Sequence, residues 1–214
     1  MSEGLGGCWI GTSSGMSIDV LNPQPESFRL VDMAISLSRI PRFNGHTVPH
    51  ASWSVAEHSL LVEQLAPLEV DAKPRLHLLL HDAHEMVIGD TSTPVKNAYN
   101  HIIRSELGTF FDPVKRIQIR LQRAIELALL LPPPDEDEYA LIKELDLLAL
   151  AIEKRDVMVP MGWGWPLPDV SKVALQVSPD NPVRVRKQFR ERVLHLMKEA
   201  GVTPMPSFLA GCPK

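Results

Sequence analysis

The chain has 214 residues, 44% of them apolar and 6% aromatic, with a net charge of −4. That supplies one core of mainly aliphatic packing, but no overall basic surplus of the kind that tracks a nucleic-acid backbone. Cys8 and Cys212 alone make neither a disulfide framework nor a Cys-based zinc module.

The start, MSEGLGGCWIG, lacks the basic stretch and apolar segment of a secretory leader, and no uncharged apolar run approaches about 18 residues. A cytoplasmic protein with no membrane partner is therefore expected. Residues 1–26 are rich in Gly, Ser and Pro and read as irregular. From Ser27 onward Leu30, Ala34 and Leu37 share one helical face. Pro41, Gly45 and Pro49 make 40–53 a loop. Ser54 and Glu57 then form an S-x-x-E capping box that opens a helix toward Pro67, with His58 in its first turn.

Pro74 begins and Gly89 ends a helix over 75–88, which carries His81, Asp82 and Glu85 in its C-terminal half. Asp112-Pro113 opens a helix to about Leu131, which Pro132, Pro133 and Pro134 stop. Asp135 caps a helix to about Val157, its acidic first turn matching the helix dipole. Asn181-Pro182 begins a last helix that Gly201 ends. Residues 161–168 and the tail after 201 read as loops, and no strong strand alternation appears. The expectation is a compact all-α bundle of six or seven helices over 27–200, between an N-terminal segment 1–26 and a tail 201–214.

The chemistry concentrates in LHLLLHDAHEMVIGD, residues 76–90. Adjacent helical residues diverge by about 100°, so His81 and Asp82 meet only at a point beside the helix wall, which suits a metal ion. With His58 and Asp146 they make a set of two imidazoles and two carboxylates. Mixed nitrogen and oxygen ligands suit Mn²⁺, Fe²⁺, Co²⁺ or Zn²⁺ better than Mg²⁺. Plainer readings stand beside this one. His58 could be an exposed first-turn residue, and Asp146 a solvated charge near Lys143. An unpaired carboxylate among Leu145, Leu147 and Leu148 would nevertheless be costly.

The other histidines have weaker claims. His77 and His81 form a rival i, i+4 pair, although His77 reads better as packed. His84-Glu85 begins an H-E-x-x-H pattern that fails at Ile88, leaving His84 on a helix surface. His46 and His50 read as loop polarity. Glu85 shares the His81–Asp82 face and could orient an attacking water. Asp90 sits on a loop where it could touch substrate or move a proton, or simply serve the turn. Arg42 and Lys96 are the phosphate cations, with Arg39 a competitor. Lys115, Arg116 and Arg120 lie on a later helix and could serve a neighbouring subunit.

The pieces RFNGHT (42–47), SVAEHS (54–59), LLHDAHE (79–85), GDTSTPVK (89–96) and ELDLLALAIEKRDVM (144–158) resemble, in order, the HD-domain metal-dependent phosphohydrolases. The closest resemblance is to the branch of 5′-deoxynucleotidases and deoxynucleotide triphosphohydrolases. It implies an HD-type helical bundle with the metal held between helices by His58, His81, Asp82 and Asp146. It also implies phosphate and sugar contacts from Arg42-Phe43, where the family often has Trp in place of Phe. The implied reaction is hydrolysis of a small-molecule deoxynucleotide by metal-activated water, dNMP giving deoxynucleoside and phosphate, in a homo-oligomer. Two alternatives are release of triphosphate from a dNTP and a non-catalytic nucleotide-sensing or scaffold role. Glu85 and Asp90 argue against the last, since binding alone would not need both acids.

Overall fold

The computed structural model describes residues 7–48, 52–160 and 164–211. The all-α expectation holds: the architecture is helical, and the one sheet among the described residues is a two-stranded hairpin. The helices are α1 (Leu30–Leu37), α2 (Val55–Gln64), α3 (Ala72–Leu80), α4 (Glu85–Ile88), α5 (Thr93–Leu107), α6 (Pro113–Ala128), α7 (Glu136–Asp156) and α8 (Pro182–Glu199). Among the described residues, no helix is long and apolar enough to cross a membrane.

The expected caps are present where the sequence writes them. Ser54 and Glu57 close a capping box on α2, and Asp135 and Glu138 do the same on α7. The side chains of Asp112 and Asn181 accept backbone N–H groups at the starts of α6 and α8. One apolar cluster joins α1, α3, α6 and α8; a second joins α2 and α7. Their seam, between α2, α3 and α7, is where the candidate site lies.

Four features depart from the sequence reading. Residues 9–19 are not irregular: β1 (Trp9–Gly11) and β2 (Ser17–Asp19) pair antiparallel around Gly15, whose φ is +82°. Strands of three residues are too short to show alternation, yet Ile18 is fully buried. The tail after 201 is a loop, as expected, but it packs into the bundle instead of standing apart from it. Phe208 is fully buried in the first cluster, and its carbonyl accepts the Leu30 N–H at 2.9 Å. Helix α5 was unforeseen, and it places Lys96 in a helical first turn rather than on a loop. It buries none of its residues, although Val95, Ala98, Tyr99 and Ile102 share one helical face.

Finally, the helix expected over 75–88 breaks after Leu80. Two side chains draw carbonyls out of the α-helical ladder. His81 Nδ1 takes the Leu78 carbonyl (2.8 Å) and Gln122 Nε2 donates to the Leu80 carbonyl (3.0 Å). Residues 83 and 85–87 then bond three residues back instead of four.

Glu63 pins α2 to α3 and α8. It accepts from Arg75 Nη1 (2.6 Å) and from Arg192 Nε (2.9 Å) and Nη2 (2.6 Å), with only 4% of the residue exposed. Burial opposes its charge, but the hydrogen bonds from Arg192 and Arg75 outweigh it and hold the carboxyl below its ordinary value. A depressed carboxyl contributes stability above its unfolded pKa of about 4.3, and that contribution is lost as pH falls through the folded value. Glu63→Ala is therefore expected to cost about 3 kcal/mol at pH 7. In urea titrations the gap to the parent should narrow below about pH 4; a gap that does not change with pH would remove the ion pair as its cause.

Candidate metal centre

The capping box fixes where α2 starts, and so where His58 stands. Its imidazole is fully buried, and Nδ1 lies 2.6 Å from Glu153 Oε1. A carboxylate oxygen only accepts, so Nδ1 carries the proton and Nε2 is turned toward α3 and α7. His81 is arranged alike. Its Nδ1 donates to the Leu78 carbonyl, leaving Nε2 toward the same point. Both imidazoles therefore turn Nε2 toward a common point, each oriented through its far nitrogen.

His58 Nε2 lies 3.3 Å from His81 Nε2, 3.1 Å from Asp146 Oδ1 and 3.8 Å from Asp82 Oδ2. His81 Nε2 lies 3.2 Å from Asp82 Oδ2 and 3.9 Å from Asp146 Oδ1. Ligands about 2.0–2.2 Å from one ion stand roughly 3–3.6 Å apart, so these spacings suit a shared cation. The ligand atoms of His58, His81 and Asp82 lie within 4.8 Å of one another and could hold a metal ion. Asp146 reaches both imidazoles from the open side, its side chain 43% exposed.

The site's electrostatics favour a cation. Burial and the Arg42 charge oppose protonation of His58, yet Glu153 and the hydrogen bonds to Asp146 and Glu153 carry its pKa up to about 9. His81 is raised too, because Asp82 outweighs burial. Burial would raise Asp82, but His81 holds it well below the carboxylate range. Protons and a metal compete for such a site, so its metal affinity falls with pH.

Glu153 was not picked out from the sequence. It is fully buried and satisfied on both oxygens: Oε1 accepts from His58 Nδ1 and from Trp53 Nε1 (2.7 Å), while Oε2 accepts from Arg42 Nε (3.2 Å). A signal did exist. Glu153 follows Asp146 by seven residues, two turns along α7, and it sits directly after Ala151 and Ile152.

Arg42, expected on phosphate, turns inward. Its Nη2 lies 3.1 Å from Glu153 and its Nη1 3.8 Å from Asp82, with 10% of the side chain exposed. Its charged form is strongly favoured, because Glu153 and Asp82 outweigh burial. Phe43 and Asn44 follow at φ +54° and +52°, a left-handed turn that costs a non-glycine residue energy. Phe43 packs on the second core cluster with the Arg42 guanidinium over its ring at 5.3 Å.

Glu85 is buried, and its Oε2 has no hydrogen-bond partner. Burial, with the charges of Asp82 and Asp90, pushes this carboxyl well above its ordinary range. Asp90 is half-buried just past Gly89. His77 is packed, as expected, whereas His84 is buried rather than on the helix surface, and burial lowers both of their pKa values. His46 is exposed on its loop, while His50 and Cys212 lie outside the described residues. Arg39 lines a separate hollow beneath the hairpin.

His81, Asp82 and Asp146 open onto a cleft of about 540 Å³ between α3, α5, α6 and α7. Its walls carry Lys96, Lys115, Lys143 and Arg123, the last paired with Glu126 at 3.2 Å. Lys96 is thus the expected substrate cation that lines the cleft. Arg42, Phe43 and Asp90 do not. Lys115 reaches the site of its own chain, so no neighbouring subunit is needed to supply it.

No family model matches the chain. It is 45% identical to an uncharacterized protein of Rhodobacter capsulatus over 93 residues, covering 42% of this chain and 47% of that protein. It is 33% identical to the uncharacterized protein YfdR of Escherichia coli over 136 residues, covering 64% of this chain and 65% of that protein. The matched regions thus span about half to two thirds of the length of these relatives.

Proposed function

We propose that this chain is a metal-dependent phosphohydrolase acting on deoxynucleotides. One observation carries the reading: a His-His-Asp group able to hold a metal opens onto a cleft whose walls bear several cations. Phosphate is the ligand chemistry that a metal and convergent lysines recognise together. The deoxynucleotide class comes from the resemblance of the motifs.

His58, His81, Asp82 and Asp146 would hold the ion, and Glu153 and the Leu78 carbonyl orient the two imidazoles. A bound divalent cation would supply Lewis acidity and water activation. Glu85, buried beside Asp82, is suited to holding or moving a proton at the attacking water. Lys96, Lys115 and Lys143 would neutralise the phosphate chain. We place the protein in the cytoplasm as a homo-oligomer, since α5 leaves Tyr99, Ile102 and Leu107 to solvent and a second copy would cover such apolar surface.

The test is release of phosphate, pyrophosphate and triphosphate from dNMPs, dNTPs and ribonucleotides with Mn²⁺, Co²⁺, Zn²⁺ or Mg²⁺. Turnover of deoxynucleotides, abolished by chelation, is expected. No product from any nucleotide with any metal would end the proposal.

The cleft also bears on which deoxynucleotide. A dNMP needs one clamp, and Arg42, the expected clamp, is engaged by Glu153. Three lysines along the cleft favour the longer phosphate chain of a dNTP. Lys115→Ala and Lys143→Ala are expected to raise KM for dNTP about tenfold each, the size of one charge-assisted hydrogen bond. KM for dNMP should move far less; equal effects on both substrates would favour the monophosphatase.

A further inference from the structure

We propose that Asp82, His84 and Glu85 form a second metal site that shares Asp82 with the first. The inference rests on the reading that His58, His81 and Asp82 hold one ion, and it adds a neighbour to it. Ligand atoms of Asp82, His84 and Glu85 lie within 4.8 Å of one another. A carboxylate has two oxygens and can serve two cations at once.

Tautomer logic makes His84 a ligand. Gln122 Nε2 donates to the Leu80 carbonyl, so the Gln122 amide faces His84 with its oxygen, 3.3 Å from Nδ1. That oxygen can only accept, so His84 Nδ1 bears the proton and Nε2 keeps its lone pair. His84 Nε2 is buried with no hydrogen-bond partner, and so is Glu85 Oε2; the two residues are 7% and 3% exposed. Buried acceptors without donors are rare because they forfeit solvation for nothing. A cation between them would satisfy both, and Glu85 would then act on the attacking water through that ion.

His84 repeats the pattern of His58 and His81, in which Nδ1 is bound to a protein acceptor and Nε2 is left for the metal. His77 differs. Its Nε2 faces Glu138, 3.9 Å away, and that carboxylate is already bonded to Lys73. One imidazole with two carboxylates suits Mn²⁺ or Co²⁺.

The experiment is Mn²⁺ titration of the full chain, read by elemental analysis after gel filtration and by electron paramagnetic resonance. Two equivalents and a spin-coupled spectrum are expected for the parent. His84→Ala should retain one equivalent with an isolated-ion spectrum. His84→Gln, which keeps Gln122 and its bond to the Leu80 carbonyl in place, should likewise weaken only the second equivalent, by about 10- to 100-fold. Circular dichroism establishes that the variants fold. One equivalent in both parent and His84→Ala overturns the second site and leaves the first standing; no bound Mn²⁺ in the parent overturns both.

Discussion

Replacing His81 or Asp82 with alanine is expected to empty the site of His58, His81 and Asp82 and to abolish deoxynucleotide hydrolysis, with helical content little changed. His81 Nε2 faces His58, Asp82 and Asp146 at 3.2–3.9 Å, so its loss opens one wall of the ligand group. Asp82 Oδ2 faces both imidazoles, as Asp146 Oδ1 does from the open side. A metal contributes several kcal/mol to a transition state that gathers negative charge, so turnover should fall by about 10³-fold or more. The fold is insulated from this loss. His81 and Asp82 sit just past the end of α3, in a turn whose apolar support comes from Leu78, Leu79, Leu80 and Ala83. Full metal content by elemental analysis in both variants would refute the assignment. Inactivity with metal retained would move these residues from ligation to substrate handling.

How far the sequence revealed this site depended on what each residue does locally. The capping boxes at Ser54 and Asp135 are four-residue signals satisfied within the segment that carries them, so α2 and α7 start where expected. The pattern His58, His81-Asp82, Asp146 was legible because these residues are polar among apolar neighbours. What stayed hidden depends on partners far along the chain. The α3 break needs Gln122 on α6 to take the Leu80 carbonyl, 42 residues away. His84 reads as helix surface until that same glutamine buries it. Arg42 reads as a phosphate ligand until a carboxylate 111 residues on claims it. The hairpin was missed for the opposite reason, because its strands are too short to leave a periodic apolar trace. Helix α5 was legible, since Val95, Ala98, Tyr99 and Ile102 recur at helical spacing just after Pro94.

Glu153→Ala is expected to damage stability and metal binding at once, and the two effects can be separated. Glu153 is the acceptor for three buried donors, on Arg42, Trp53 and His58. Its removal strands a guanidinium that is 10% exposed, and breaking a buried pair from one side costs about 3–5 kcal/mol. Glu153→Gln keeps one acceptor oxygen and the volume, so its stability loss should be smaller. Metal affinity should still fall by about 10- to 100-fold, because a neutral amide does not raise the basicity of His58 as a carboxylate does. A double replacement, Arg42→Met with Glu153→Gln, removes the stranded charge and should recover stability relative to Glu153→Ala. It should not recover metal affinity, since His58 Nδ1 still faces an amide. Urea denaturation and Mn²⁺ titration report the two quantities independently. Parent-like Mn²⁺ affinity in Glu153→Gln would make Glu153 a support of the fold alone; affinity lost while stability returns would assign it to orienting the metal ligand.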